Sequence, residues 1–185
     1  MDWHPRPLMP VLTVPETGTW RLDHLSGQPL TPSARSAADL DGGLVQRAEV
    51  LPVRSEVYAL CTAGWLHLGG EVPDPLEVAA PRARRSRHDG VRHRVISHHP
   101  GEVLTVAGRR LTTPLTTVCD LVRYAGREGS LDLSPQRVAG LVQSLVAGGV
   151  DPAEVERRLL TDGPMRGRRL RASHTLREIL TASRV

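Results

Sequence analysis

Four histidines, His88, His93, His98 and His99, fall in one short stretch and raise the question of a metal site. Imidazole is a common ligand, but one ion needs several donors converging on a point. In an extended chain the adjacent His98 and His99 would point to opposite faces, and no Cys-x-x-Cys or His-Glu-x-x-His pattern accompanies them. We therefore expect no metal, and no pattern in the chain implies a cofactor. Asp74 and Glu77-Val78-Ala79 have the outline of a nuclease's carboxylate pair, yet Ala79 stands where a Glu-x-Lys motif requires its lysine. The chain has no lysine at all, which also removes a phosphate-loop lysine and Schiff-base chemistry. Cys119 falls on an apolar helical stripe with no base arranged beside it, and reads as a core thiol. Ser97 and Ser173-His174 belong to no nucleophile-elbow pattern. The expectation is a protein without catalytic residues.

What remains is recognition. Arg82, Arg84, Arg85, Arg87, Arg92 and Arg94 surround a single acid, Asp89, and Arg166, Arg168, Arg169 and Arg171 open the last helical segment. The planar guanidinium suits bidentate contacts to carboxylates and phosphates, so both clusters are candidate contacts to an acidic partner. Four arginines in the first turns of a helix oppose its dipole by about 0.3–1 kcal/mol each where exposed, a local cost that hints at a use outside the helix. Composition supplies the plainer alternative of solvated faces. All 24 basic residues are arginine, asparagine is absent and only two isoleucines occur. The missing residues use AT-rich codons, so the source reads as a GC-rich genome, an actinobacterium being the obvious candidate.

The elements that must position these residues follow from pattern and punctuation. At 185 residues the chain suits one domain, or one domain with a smaller appendage. Five prolines among residues 1 to 30 argue for an irregular lead-in, and Thr31-Pro32-Ser33 opens a short helix ending by Gly42-Gly43. Residues 44 to 51 read equally as helix or strand. Ser55 is expected to cap a helix with Val57, Leu60, Cys61, Gly64, Trp65 and Leu68 on one face, ended by Gly69-Gly70, with Gly64 admitting a close backbone neighbour. Strands are expected at 75–80 and 91–98, separated by an arginine-rich loop.

Two more strands joined at Ala107-Gly108 lead into a helix that Thr113 caps and Pro114 opens. Leu115, Val118, Cys119 and Val122 form its apolar stripe, and Gly126 ends it. Three more helices follow. Pro135 opens one with Val138, Leu141, Val142 and Leu145 inward; Pro152 opens the next with Val155, Leu159 and Leu160; the last carries Leu170, Leu176, Ile179 and Leu180. The fold class is α+β, a small, mostly antiparallel sheet backed by helices, with a helical C-terminal third. Cys61 and Cys119 as buried thiols, and a start that lacks an apolar signal core, lead us to expect a cytoplasmic protein.

The segment EVLTVAGRRLTTPLTTVCDLVRY resembles the core of the AbiEi family, antitoxins of the type IV toxin–antitoxin systems. The family's V.G.PVT.P.RTL.DLAR pattern stands here as Val106, Gly108, Leu111-Thr112-Thr113-Pro114, Thr117, Asp120-Leu121 and Arg123. YALCTAGWLHLGG, which holds Trp65, is similar to the family's AAWLHGL segment, and GPMRGRRLRASHTLREIL to its RPGAR.LR.AL helix. The resemblance spans roughly Tyr58 to Leu180. It implies a non-enzymatic antitoxin in a hetero-oligomer with a nucleotidyltransferase-like toxin, and structural roles for Gly108, Thr113, Pro114, Thr117, Asp120 and Trp65. For Asp120 we expect a contact that holds helix to sheet through Arg109, Arg110 or Arg123. It also divides the chain into 1–54, irregular or a degenerate winged-helix remnant, and 55–185, the antitoxin core.

DNA binding through the N-terminal segment is not expected. Residues 1–60 hold five arginines against seven acids, net −2, whereas the other 125 hold 19 against 13, net +6. The alternative function is a nucleic-acid-binding transcriptional regulator, an operon autorepressor, that uses the 82–94 region. Its mark would be affinity that falls steeply with salt.

Overall fold

A computed structural model describes residues 43–82, 90–125, 135–161 and 166–182. The expected lead-in and short helix before residue 43, the Gly126 stop and most of the 81–90 loop lie outside the described residues.

The strands are β1 (Val57–Tyr58), β2 (Leu76–Ala80), β3 (Val91–Val95), β4 (Val103–Val106) and β5 (Arg109–Thr112), in the order β3-β2-β1-β5-β4. The class is α+β with a helical C-terminal part, as expected. The sheet itself is mixed, where mostly antiparallel pairing was anticipated: β1 runs antiparallel to β2, and β4 to β5, while β1–β5 and β2–β3 are parallel. The β2–β3 pairing is the less obvious one. Parallel neighbours usually need a crossover of a dozen or more residues, and here β2 ends at Ala80 and β3 begins at Val91.

Helices α1 (Leu44–Glu49), α2 (Leu60–Leu68), α3 (Pro114–Ala125), α4 (Pro135–Ala147), α5 (Pro152–Thr161) and α6 (Arg166–Ala182) complete the described part. Alternate strand residues feed two cores. Val57 and Ala79 face one that α2 to α6 fill with Leu60, Val118, Leu121, Val142, Leu159 and Leu176 among others. Tyr58, Val78, Val91 and Leu111 face the other, which Ala48 and Leu51 close from α1 and the residues after it. Helix α2 serves both, giving Leu60 and Cys61 to the first and Trp65 and Leu66 to the second. No helix among the described residues is long and apolar enough to cross a membrane.

Two details decide how the site is positioned. The β4–β5 hairpin turns through Ala107 at φ 47° and Gly108 at φ 74°, with Val106 and Arg109 paired on either side. Two positive φ values in a two-residue loop match the right-handed twist of the flanking strands. The second detail corrects the expected helix at Ser55. Val57 and Tyr58 are a strand at the centre of the sheet, and Ser55 donates its hydroxyl to Glu56 instead of capping. The chain enters α2 only at Leu60, through a left-handed turn at φ 52° that costs a non-glycine residue about 1–2 kcal/mol. The helix stripe misled because α2 is buried on every side from Leu60 to Leu66.

In the C-terminal part, Val138, Val142 and Leu145 of α4 are buried as expected, as are Val155 and Leu159 of α5 and Leu176 of α6. Leu160 and Leu170, also expected inside, are 40% and 57% exposed. Gly64 meets the side chain of Leu141, where a backbone neighbour was expected.

Candidate partner-binding surface and the polar network behind it

The hairpin delivers the chain to α3 with its first turn already satisfied. The Thr113 hydroxyl accepts from the Thr116 N–H at 3.2 Å, and Pro114 follows where no N–H is required. Below it, Thr117 bonds the Thr113 carbonyl at 2.8 Å, and the Thr112 and Thr117 hydroxyls meet at 2.7 Å. Thr113 donates its own N–H to the Glu102 carbonyl at 2.9 Å, which ties the helix start to the short 3-10 turn Pro100–Glu102. Gly108 sits in the hairpin turn, and Trp65 fills the second core while its indole N–H donates to the Gly70 carbonyl at 3.0 Å.

Asp120 is 3% exposed on α3, and its nearest partner is not the expected arginine but His98, whose Nε2–H donates to Oδ2 at 2.7 Å. Arg123 lies 3.8 Å from the other carboxylate oxygen. Arg109 and Arg110 turn away from it. Arg109 donates to the Leu51, Glu49 and Ala107 carbonyls, and Arg110 to the Ser55 carbonyl. His98 lies beyond the end of β3, which stops at Val95, so it was free to leave the sheet and reach the helix. Beside it the Glu102 carboxylate accepts from the His99 N–H at 2.8 Å and pairs with Arg158 of α5 at 3.4 Å. Arg158 also reaches the Thr116 hydroxyl at 3.3 Å. One polar network thus joins the turn, α3 and α5.

Glu77 anchors a second network. It is 4% exposed in the middle of β2. Arg94 of β3 donates to its Oε1 from Nε at 3.1 Å and Nη2 at 2.9 Å, and the same guanidinium lies 5.9 Å from the Tyr124 ring centre on α3. Oε2 accepts the Cys61 N–H at 3.3 Å, so Glu77 caps α2, whose own N-cap residue is Ala59 and offers no side-chain acceptor. Thr62 completes the exchange by accepting the Glu77 N–H at 2.7 Å. The acid with a nuclease-like outline is therefore a helix cap and an ion-pair partner. Burial, then the adjacent Glu77 carboxylate, pushes the Cys61 thiol up, away from the thiolate form.

Against this framework the ten candidate arginines divide. Arg82, at the end of β2, and Arg171, on α6, are exposed. Arg92 is half-buried on β3. Arg94 turns inward to Glu77, and Arg169 donates to the Leu160 carbonyl at 3.3 Å, where it caps the last turn of α5. Arg84, Arg85, Arg87 and the side chains of Arg166 and Arg168 lie outside the described residues. The clusters belong to separate elements, one at the β3 edge of the sheet and one on α6, which packs against α5 and α3. Arginine capping of helix ends recurs: Arg47 donates to the Leu66 and His67 carbonyls at the end of α2. Among the described residues no three His, Cys, Asp or Glu converge as metal ligands.

No local signal in the sequence could have paired His98 with Asp120 or Glu77 with the start of α2, since 22 and 16 positions separate the partners. Comparison with protein-family models, with curated proteins and with solved structures gave no match to this chain.

Proposed function

We propose that this protein is an antitoxin that neutralises a nucleotidyltransferase-like toxin by direct binding, without chemistry of its own. The observation that carries this reading is the ordered set of motif residues through which the chain resembles the AbiEi antitoxins, from Val106 to Arg123. Those residues form one hairpin–helix unit here, with Gly108 in the turn, Thr113 and Pro114 at the cap and Asp120 facing the sheet's exit loop. A unit whose polar side chains are spent on its own architecture suits a scaffold that presents other surfaces. The basic surface offered to the partner begins at exposed Arg82 and continues in sequence through Arg84, Arg85 and Arg87. An acidic metal- and nucleotide-binding cleft is the complementary target. Apolar contacts would supply most of the affinity, and arginine–carboxylate pairs would set register.

Growth rescue tests this. The product of the neighbouring open reading frame is expressed alone and then with this protein, and survivors are counted. Toxicity that this protein abolishes, and that returns when Arg82, Arg84, Arg85 and Arg87 are changed to glutamate in a soluble variant, is the expected result. A harmless neighbour, or toxicity without rescue, overturns the reading. Binding to duplex DNA that weakens steeply with added salt would then favour a regulator that uses the 82–94 region.

A further inference from the structure

A cleft of about 440 Å³ opens between α2 and α4, and it touches the Glu77 network only at Cys61. That volume lies within the range of small-ligand sites, roughly 300–1,000 Å³. Trp65 and Cys61 line its buried side, Leu68 and Leu141 add apolar surface, and Arg137 and Glu71 carry its charges.

Gly140, also in the lining, is the first observation that points to a ligand. It is the sixth residue of the thirteen-residue α4, where glycine weakens a helix relative to alanine. Glycine is normally kept in such a place for a positive φ or a close neighbour. Among the described residues Gly140 has neither: its φ is not positive, and a Cβ built on it meets nothing within 4 Å. Gly64 makes the contrast, since a Cβ there would meet Leu141 at 3.4 Å. What the missing side chain at 140 does is leave the cleft open.

The second observation is the state of Arg137. Its Nη2 sits 2.9 Å from the Glu71 carboxylate and donates to the Glu71 carbonyl at 3.3 Å, with the two side chains 36% and 58% exposed. An ion pair this exposed contributes little, so another carboxylate can take Glu71's place. Arg137 is also the third residue of α4, where the helix dipole favours an anion. Among the described lining residues it is the one cation, which matches a single negative charge better than a phosphate.

We propose that the α2–α4 cleft binds a small monocarboxylate with an apolar body. The carboxylate pairs with Arg137 in place of Glu71, and the apolar body lies against Trp65, Leu68 and Leu141 in the space beside Gly140. The inference is independent of the antitoxin reading.

Phenylacetate and its neutral counterpart phenylacetamide serve as probes, titrated into the ¹⁵N-labelled full-length protein and followed by amide shifts. Saturable shifts centred on Leu68, Gly70 and Gly140 are expected, with phenylacetate about tenfold tighter than the amide, the scale of one charge-assisted hydrogen bond. Arg137→Gln should abolish that preference and leave amide binding in place. Gly140→Leu should weaken both probes at least about tenfold by filling the cleft, the scale of a few lost methylene contacts. Gly140→Ala should raise the melting temperature, which separates loss of the cleft from loss of the fold. Absence of saturable shifts at these residues, equal binding of the two probes, or unchanged binding in Gly140→Leu would each overturn the proposal.

Discussion

Glu77 and Asp120 are both buried carboxylates that tie a helix to the sheet or its exit loop, yet their partners differ in kind. Glu77 faces Arg94, which keeps its charge at any pH a protein survives and which donates to it twice. Asp120 faces His98, an imidazole with no fixed charge, while Arg123 stands farther off at 3.8 Å and is 31% exposed. The Arg94 side chain is only 15% exposed and lies over Tyr124, so it cannot turn to water without leaving its packing. The comparison teaches that the cost of losing a buried acid is set by what the partner can do afterwards. A fixed charge left alone inside is expensive; a histidine can become neutral and a half-exposed arginine can find solvent.

The largest expected effect follows directly. Glu77→Ala should lower the unfolding free energy by about 3–5 kcal/mol, because it strands the Arg94 charge and uncaps α2 together. Replacing both partners, Glu77→Leu with Arg94→Met, should recover much of that loss. The shortfall should be about 1–3 kcal/mol, the cost of leaving the Cys61 N–H without its acceptor. Urea denaturation of the three proteins measures both. A double variant no more stable than Glu77→Ala would mean that the cap, not the charge, dominates this node.

Asp120→Ala should cost less, about 1–3 kcal/mol, the scale of one buried hydrogen bond left unmade. Equal losses at Glu77 and Asp120 would mean that the kind of partner does not set the cost, and the contrast would fail. Thr113→Ala, at the start of the helix that carries Asp120, should cost about 1 kcal/mol as an ordinary lost cap. It calibrates the other two, since it removes an acceptor without stranding any charge.

Local signals explain which of these features were legible in the sequence. The hairpin at Ala107-Gly108, the Thr113-Pro114 cap and the α4 stripe are each written within a few residues, and they stand where expected. Val57-Tyr58 was misplaced because its identity as a strand depends on Ala79, Val78 and Leu111, which lie far along the chain. The sheet's parallel pairings escaped notice for the same reason. Asp120 stands out in the sequence as the one acid of its helix, and of the arginines expected to meet it Arg123 lies at 3.8 Å, while the nearer partner, His98, has no local signal. Glu77 drew attention for the wrong chemistry, since nothing near it in sequence announces that α2 lacks a cap of its own. The arginines show the limit of counting charge: Arg94 and Arg169 belong to clusters that look free in sequence, yet Arg94 bonds the buried Glu77 carboxylate and Arg169 an exposed carbonyl of α5.

The smallest effect concerns a half-buried ionisable group, one that has neither an arginine nor an acid as its bonding partner. His67 donates from Nε2 to the Thr112 carbonyl at 2.8 Å, at the strand end that leads into α3. Burial holds its pKa below the ordinary histidine value, the nearby Arg47 charge acts the same way, and the Thr112 bond opposes them. The unfolded chain therefore takes up a proton near the ordinary value of about 6.5, before the folded protein does. Stability contributed by neutral His67 is present above that pH and is lost as pH falls through it. Glu156, held low first by the Ser173 hydroxyl and then by Arg177, is also lost on acidification, but only on entering the carboxylate range. Between pH 7.5 and 5.5 the urea midpoint should therefore decline, and His67→Gln, whose amide can reach the same carbonyl without titrating, should flatten that decline. An unchanged slope in the variant would assign the acid sensitivity to a group other than His67.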